Sequence, residues 1–353
     1  MSGWKHTCPG QVGRRPASGF GPIGIFRGVY AVTAARIDRD NPLTGLEVGE
    51  RPDPSVPDGW TTVRLKAAAL NHHDLWSLRG VGLGEDQLPM ILGCDGAGVS
   101  ADGEDVVVHA VIGDPSVAGG DETMDPKRSL LSEKYDGTLA EVVAVPRRNL
   151  VPKPASLSWE EAACLPTAYL TAYRMLFTRA GLPTLGGGGK VLIQGAGGGV
   201  ATAALLLAKA AGHTAFVTSR DEKKRSRAAE LGADEALESG ARLPAKVDAV
   251  IETVGEATWG HSLRALRPGG TVVVSGATSG PNPPSDLNRV FFLQLSIVGS
   301  TMGTRDELDA LVQFLDRTGV RPLIDDSRPL SDARASFERM ASGDQFGKLV
   351  LTV

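Results

Sequence analysis

The stretch Lys190-Val-Leu-Ile-Gln-Gly-Ala-Gly-Gly-Gly-Val-Ala-Thr-Ala-Ala-Leu-Leu-Leu-Ala-Lys-Ala-Ala-Gly-His213 decides the fold of this chain. Residues 191–193 read as a buried strand, 195–199 as a turn, and 201–211 as a helix that starts on small residues. In a parallel sheet this order aims the helix N-terminus and its free N–H groups at a pyrophosphate. Glycine is required there because a Cβ would hold the ligand off the backbone. The strand before and the helix after supply the context that a glycine run alone lacks. Gly195, Gly198, Gly199 and Val200 are therefore candidate pyrophosphate contacts.

The next strand, Thr214-Ala-Phe-Val-Thr218, runs into Ser219-Arg220-Asp221-Glu222-Lys223-Lys224. About twenty residues past the turn, an NAD-binding chain places an acid on the ribose 2′-hydroxyl. Here Ser219 and Arg220 occupy that place. A 2′-phosphate calls for a hydroxyl donor and cationic side chains. Ser219, Arg220 and Lys224 thus point to NADPH, although Asp221 and Glu222 also suit an ordinary solvated helix start.

Composition bounds the rest. A chain of 353 residues suits two domains, and 42% apolar with 22% charged residues suits a globular protein. A net charge of −4 offers no electrostatic case for nucleic acid or an anionic membrane. No apolar run approaches the ~20 residues of a membrane span. Three scattered cysteines, Cys8, Cys94 and Cys164, form no disulfide framework and fit a reducing cytoplasm. Residues 1–28 are rich in Gly, Pro and Arg without apolar periodicity, and read as a disordered extension. Arg14-Arg15 is not followed by the apolar region of an export signal.

The remainder divides by pattern. Residues 29–35, 60–69, 105–112 and 137–145 read as strands, with a short helix near 73–78, as in a compact β-rich domain. Ser158 and Glu161 form a capping box for a helix over 158–165, and a second helix spans 171–179. Strands and helices then alternate at 190–194, 200–211, 214–218, 221–231, 247–251, 258–266 and 271–275, which is the signature of a doubly wound parallel sheet. Helices at 305–318 and 331–342 and a strand at 348–353 close the chain. The expected division is 29–155 with 304–353 as one domain and 156–303 as the other.

The stretches Ala69-Leu-Asn-His-His-Asp-Leu-Trp76, Gly93-Cys-Asp-Gly-Ala-Gly98, Asp136-Gly-Thr-Leu-Ala-Glu141, Leu165-Pro-Thr-Ala-Tyr-Leu-Thr-Ala-Tyr173, Leu231-Gly-Ala-Asp234, Val247-Asp-Ala-Val-Ile-Glu-Thr-Val-Gly255 and Pro268-Gly-Gly-Thr271, with 190–213, resemble the medium-chain dehydrogenase/reductase superfamily. The resemblance implies an α/β chain: a GroES-like, β-rich catalytic domain plus a Rossmann nucleotide-binding domain. The positions matching the catalytic zinc ligands are Asn71, Cys94 and Thr167, and two of these are poor ligands. A second set, His72, His73, Cys94 and Asp95, is disfavoured because neighbouring histidines on an extended segment face opposite ways. The chain therefore resembles the zinc-lacking quinone oxidoreductase branch, whose first-domain Asn matches Asn71 and whose usual Tyr is here Trp76.

That branch implies an NADPH-dependent reductase of quinones or α,β-unsaturated carbonyls working without metal. Asn71 and Thr167 would polarise the substrate oxygen, and His72 is the candidate proton donor. Thr253, Val254, Ser275, Gly276 and Ala277 would border the cofactor, and Ser300 and Met302 would flank the nicotinamide and cleft. Two other readings stand beside it: a zinc alcohol dehydrogenase, and a non-catalytic NADPH-binding protein of zeta-crystallin type. The apolar stretch Val290-Phe-Phe-Leu-Gln-Leu-Ser-Ile-Val-Gly299 reads as an edge strand that pairs with its own copy in a homodimer.

Overall fold

The structure, a computed structural model, describes residues 28–353. The expected disordered extension therefore lies, except for its last residue, outside the described residues.

The first part of the chain comprises β1 (Val29–Ala34), β2 (Leu46–Arg51), β3 (Trp60–Ala69), helix α1 (His72–Leu78), β4 (Met90–Ile91), β5 (Asp95–Ser100), β6 (Asp105–Val108), β7 (Val111–Ile112), β8 (Ser129–Leu130), β9 (Val142–Pro146) and β10 (Leu150–Pro152). β3 is the hub, pairing antiparallel with both β5 and β9. Thr61, Val63, Leu65 and Ala67 are buried at every second position along it, the two-residue period of a strand with one face on a core.

Two sequence expectations need correction here. The single strand over 105–112 is broken at His109, whose ring turns into the core and donates from Nε2 to the Gly303 carbonyl at 2.9 Å. The strand over 137–145 starts only at Val142. Gly137 instead packs so closely that a Cβ there would lie 2.4 Å from the carbonyl oxygens of Leu92 and Gly93.

Helix α2 (Trp159–Ala163) starts on the anticipated capping box: Ser158 Oγ accepts from Glu161 N at 3.1 Å, and Glu161 Oε2 accepts from Ser158 N at 2.8 Å. The helix expected over 171–179 is instead α3 (Leu170–Tyr173) between two wide π turns, 165–169 and 174–179. Pro166, which has no N–H to donate, sits in the first of them.

The second part comprises β11 (Lys190–Gln194), α4 (Gly199–Ala210), β12 (Thr214–Thr218), α5 (Glu222–Glu230), β13 (Glu235–Leu237), β14 (Val247–Glu252), α6 (Glu256–Ala265), β15 (Leu266–Val274), α7 (Leu287–Phe292) and β16 (Ser296–Gly299). Its six strands are all parallel, in the order β13-β12-β11-β14-β15-β16. Helices cover both faces, so the central strands read as unbroken apolar runs such as Val191, Leu192 and Ile193, all buried. The order reverses between β11 and β14, where such sheets open a crevice at their carboxyl ends.

The apolar stretch 290–299 is not one strand. Its first residues belong to α7, which Asp286 caps by accepting from Arg289 N at 3.1 Å, and only Ser296–Gly299 extends the sheet.

The chain then returns through α8 (Arg305–Thr318), β17 (Ile324–Pro329), α9 (Ala333–Ser342) and β18 (Lys348–Thr352). β18 pairs with β3 of the first part, antiparallel, and with β17, parallel. The resulting seven-stranded sheet runs β10-β6-β5-β3-β18-β17, with β9 also on β3. Buried Arg174 ties the two parts together, bonding Asp121 at 2.5 Å and Glu307 at 2.8 Å. Among the described residues no helix is long and apolar enough to cross a membrane.

Candidate cofactor and substrate site

A cavity of about 1410 Å³ lies along the carboxyl ends of the parallel strands. The glycine turn forms its floor. Gly195 and Gly197 have φ of 80° and 97°, the left-handed region where a side chain is strained. A Cβ on Gly199 would meet Ala168 Cβ at 3.3 Å and Lys348 Cδ at 3.4 Å. The turn is thus a cradle that any side chain would fill, at the mouth of the twelve-residue helix α4. A dinucleotide fits this site, with its pyrophosphate on the helix N-terminus.

Every cofactor contact expected between Gly195 and Ala277 borders the cavity, including Ser219, Arg220, Lys224, Thr253, Val254, Ser275 and Gly276. Ser300 and Met302 do not. Ser300 N donates to Val274 O at 2.9 Å, and Met302 is buried in the core cluster of the first part that also holds Cys94, with φ of 47°. Met302 thus acts as a packing contact between the two parts of the chain. Ser239 and the tail residues Ala341, Gly343 and Gln345 border the cavity and were not foreseen.

The loop after β14 is held from beneath. Glu252 is wholly buried, and its Oε1 accepts from Val254 N at 2.9 Å, Gly255 N at 3.0 Å and Thr258 Oγ1 at 2.9 Å. Its Oε2 accepts from Ser262 Oγ at 2.6 Å. The carboxylate therefore shapes the backbone on which Thr253 and Val254 face the cavity.

His72 and His73 do not lie on an extended segment. They open α1, roughly 100° apart around the helix. His72 borders the cavity. Burial, with Lys348 and Lys224 nearby, holds its imidazole below the ordinary value, so it is neutral at pH 7. Its cationic surroundings suit a phosphate contact better than the proton-donor role expected from sequence.

His73 points elsewhere. Its Nε2 meets Glu133 Oε1 at 3.1 Å, and its Nδ1 lies 3.6 Å from Cys94 Sγ and 3.5 Å from Ser132 Oγ. Burial alone would lower its pKa. The Cys94 sulfur and the Glu133 carboxylate outweigh that and raise it to about 11.

Lys348, absent from the sequence expectations, organises the candidate catalytic residues. Although buried, it donates from Nζ to Asn71 Oδ1 at 2.7 Å, Leu70 O at 2.7 Å and Asp95 Oδ2 at 2.9 Å. Asn71 Nδ2 also donates to Ala69 O at 3.5 Å, which leaves one amide N–H to offer a substrate. Thr167 Oγ1 is buried with no hydrogen-bond partner. Ala168, next to Thr167 in the chain, and Lys348, bonded to Asn71, both lie against Gly199, while neither Asn71 nor Thr167 itself borders the cavity.

These residues do not fit a catalytic zinc. The Asn71 oxygen and one Asp95 oxygen bond Lys348, His72 borders the cofactor cavity, and of the two histidines only His73 reaches Cys94. Among the described residues no three His, Cys, Asp or Glu side chains are grouped to hold a metal ion.

Comparison with known proteins gives the family. The zinc-binding dehydrogenase model matches residues 199–317, and the alcohol dehydrogenase GroES-like domain model matches residues 57–155. A zinc-type alcohol dehydrogenase-like protein of Schizosaccharomyces pombe is 31% identical, over 84% of this chain and 91% of its own length. The 2-methylene-furan-3-one reductase of Solanum lycopersicum is 30% identical, over 84% of this chain and 73% of its own. A solved NAD-dependent alcohol dehydrogenase superposes with a TM-score of 0.82 at 34% identity, covering 92% of this chain and 99% of that one. The chain belongs to the medium-chain dehydrogenase/reductase superfamily, a superfamily of oxidoreductases.

Proposed function

We propose that the protein is an NADPH-dependent reductase of α,β-unsaturated carbonyl compounds, quinones included as doubly conjugated enones. One observation carries this reading. Where zinc would polarise a substrate, the chain presents hydrogen-bond donors, the unpartnered Thr167 hydroxyl and the Asn71 amide. Such donors stabilise the oxyanion of an enolate. The tomato relative, named for reducing a conjugated ketone, supports the same class of substrate.

NADPH, when bound, supplies the hydride. Gly195, Gly198, Gly199 and Val200 hold its pyrophosphate, with His72 beside them. Ser219, Arg220 and Lys224 hold the 2′-phosphate. Asn71 and Thr167 donate to the carbonyl oxygen as negative charge gathers there. Hydride adds at the β-carbon, and the resulting enolate takes a proton from solvent at its α-carbon.

The test is NADPH oxidation against a panel of enones, conjugated acyl thioesters, quinones and saturated aldehydes. Turnover on conjugated substrates with saturation of the carbon–carbon double bond is expected. Activity confined to saturated aldehydes and their alcohols would replace this reading with an alcohol dehydrogenase.

A further inference from the structure

The crossover from β13 to β14 is short. Parallel strands of one sheet are normally linked by a dozen residues or more, most often through a helix. Here nine residues, 238–246, make the crossing without one. A second cavity, of about 490 Å³, opens between this loop and α6. It shares no lining residue with the large cavity at the glycine turn.

The recess is already shaped. His261 Nε2 donates to Ala241 O at 2.9 Å, and Lys246 Nζ donates to Arg264 O. Between these two ties, Leu243 packs on the core cluster that holds Leu192, Phe216 and Trp259. The loop is therefore fixed to the helix near both its ends and to the sheet in its middle.

The lining divides by chemistry. Leu243, Pro244 and Ala265 give it apolar surface, while Arg242, Lys246 and Arg264 bring three positive charges and no lining residue is acidic. Among the described residues neither arginine is in an ion pair. Asp248, two residues past Lys246, is already taken by Arg267 Nε at 2.5 Å and Lys190 N at 2.7 Å. Cations at Lys246 and Arg264 suit the C-terminus of α6, but the helix dipole does not account for Arg242 on the facing loop. Like charges around one recess repel, and a bound anion relieves that repulsion. Guanidinium groups match phosphate oxygens in a fixed fork. The volume falls within the roughly 300–1,000 Å³ of small-molecule sites, and the apolar surface calls for a body to carry the anion.

We propose that this recess binds a small organic phosphate, with the phosphate held by Arg242, Lys246 and Arg264 and the apolar body against Leu243, Pro244 and Ala265. The proposal is independent of the cofactor and of the substrate.

Calorimetric titration of the full chain with phenyl phosphate tests it, with and without NADP⁺, and hydrogen exchange locates the binding. One phenyl phosphate per chain should bind with the same affinity in both conditions and slow exchange across residues 240–246 and 260–265. Arg242→Gln with Arg264→Gln should weaken it at least tenfold, through lost charge-assisted bonds. The melting temperature should hold, because both side chains are exposed. Inorganic phosphate should bind about tenfold more weakly, for want of an apolar body. No saturable binding up to about 10 mM, displacement by NADP⁺, or unchanged affinity in the double variant would each overturn the site. Equal affinity for inorganic phosphate would overturn its assignment to an organic one. A chain that binds phenyl phosphate in the recess but no NADP⁺ would uphold this site and reject the cofactor reading instead.

Discussion

The buried carboxylate of Glu252 gives the sharpest test of how the site is held. In Glu252→Ala, the N–H groups of Val254 and Gly255 lose their acceptor. Of the hydroxyl partners, Thr258 Oγ1 already lies 3.3 Å from Gly255 O, whereas Ser262 Oγ still accepts from Gln194 Nε2 at 3.0 Å but loses the acceptor of its own O–H. Two unpaired buried N–H groups at about 1–3 kcal/mol each give a loss of about 4 kcal/mol. Glu252→Gln keeps one oxygen for both N–H groups and loses mainly the strength of charge-assisted bonds, about 1–2 kcal/mol. The measurements are urea unfolding and hydrogen exchange of the peptide spanning 253–263. Stability should rank wild type, Gln, Ala, and exchange at Val254 and Gly255 should quicken in the same order. NADPH affinity should follow, since Thr253 and Val254 border the cavity. An alanine variant within 1 kcal/mol of wild type, or equal losses for Ala and Gln, would show that these acceptors do not hold the loop.

Other outcomes follow from the same geometry. Arg220→Ala with Lys224→Ala should raise the apparent NADPH constant at least tenfold and leave NADH nearly unchanged, whereas equal losses would contradict the 2′-phosphate assignment. Turnover should survive prolonged dialysis against a chelator; stoichiometric zinc whose removal abolishes activity would restore the metal mechanism. We expect a homodimer through the outer edge of β16, which among the described residues pairs only with β15 and adjoins Phe291 and Phe292, 66% and 79% exposed. Leu295 faces inward at 8% exposure, so the informative change is Ile297→Lys, at 45%. Light scattering should find a wild-type dimer and a variant monomer, and a monomeric wild type at micromolar concentration refutes the interface.

How much was legible depends on the range of the interactions. The run from β11 to β12 could be read because a buried parallel strand is a continuous apolar segment and the turn tolerates little but glycine. The stretch 290–299 misled because Phe, Ile and Val favour strands, while the signal that mattered was the Asp286 cap upstream. Asn71 with Asp74 three residues on was a similar missed signal. Asp74 Oδ2 accepts from Asn71 N at 2.8 Å and starts the helix read over 73–78 one residue earlier, so that His72 joins it. Lys348 left a fainter trace, a lysine inside the apolar strand Lys-Leu-Val-Leu. The place of Gln345 on the cavity wall left none, because it comes from packing the tail loop against Gly197, far away in the chain.

The place of β18 has a consequence for how the chain is made. Val350 pairs with Ala69, so the first-made half of that ladder waits for nearly the whole protein to leave the ribosome. At about 5–20 residues per second this is a delay on the order of tens of seconds. The parallel sheet, whose strands are contiguous in the chain, can complete itself during that interval. The β-rich domain cannot, and its open β3 edge stays exposed until the last strand is released. The order of synthesis thus runs opposite to the order of assembly: the domain begun first is finished last, docking onto a nucleotide site already formed. A nascent chain halted before β18 would carry a folded nucleotide domain tethered to an unclosed sheet, the form in which chaperones would meet this protein.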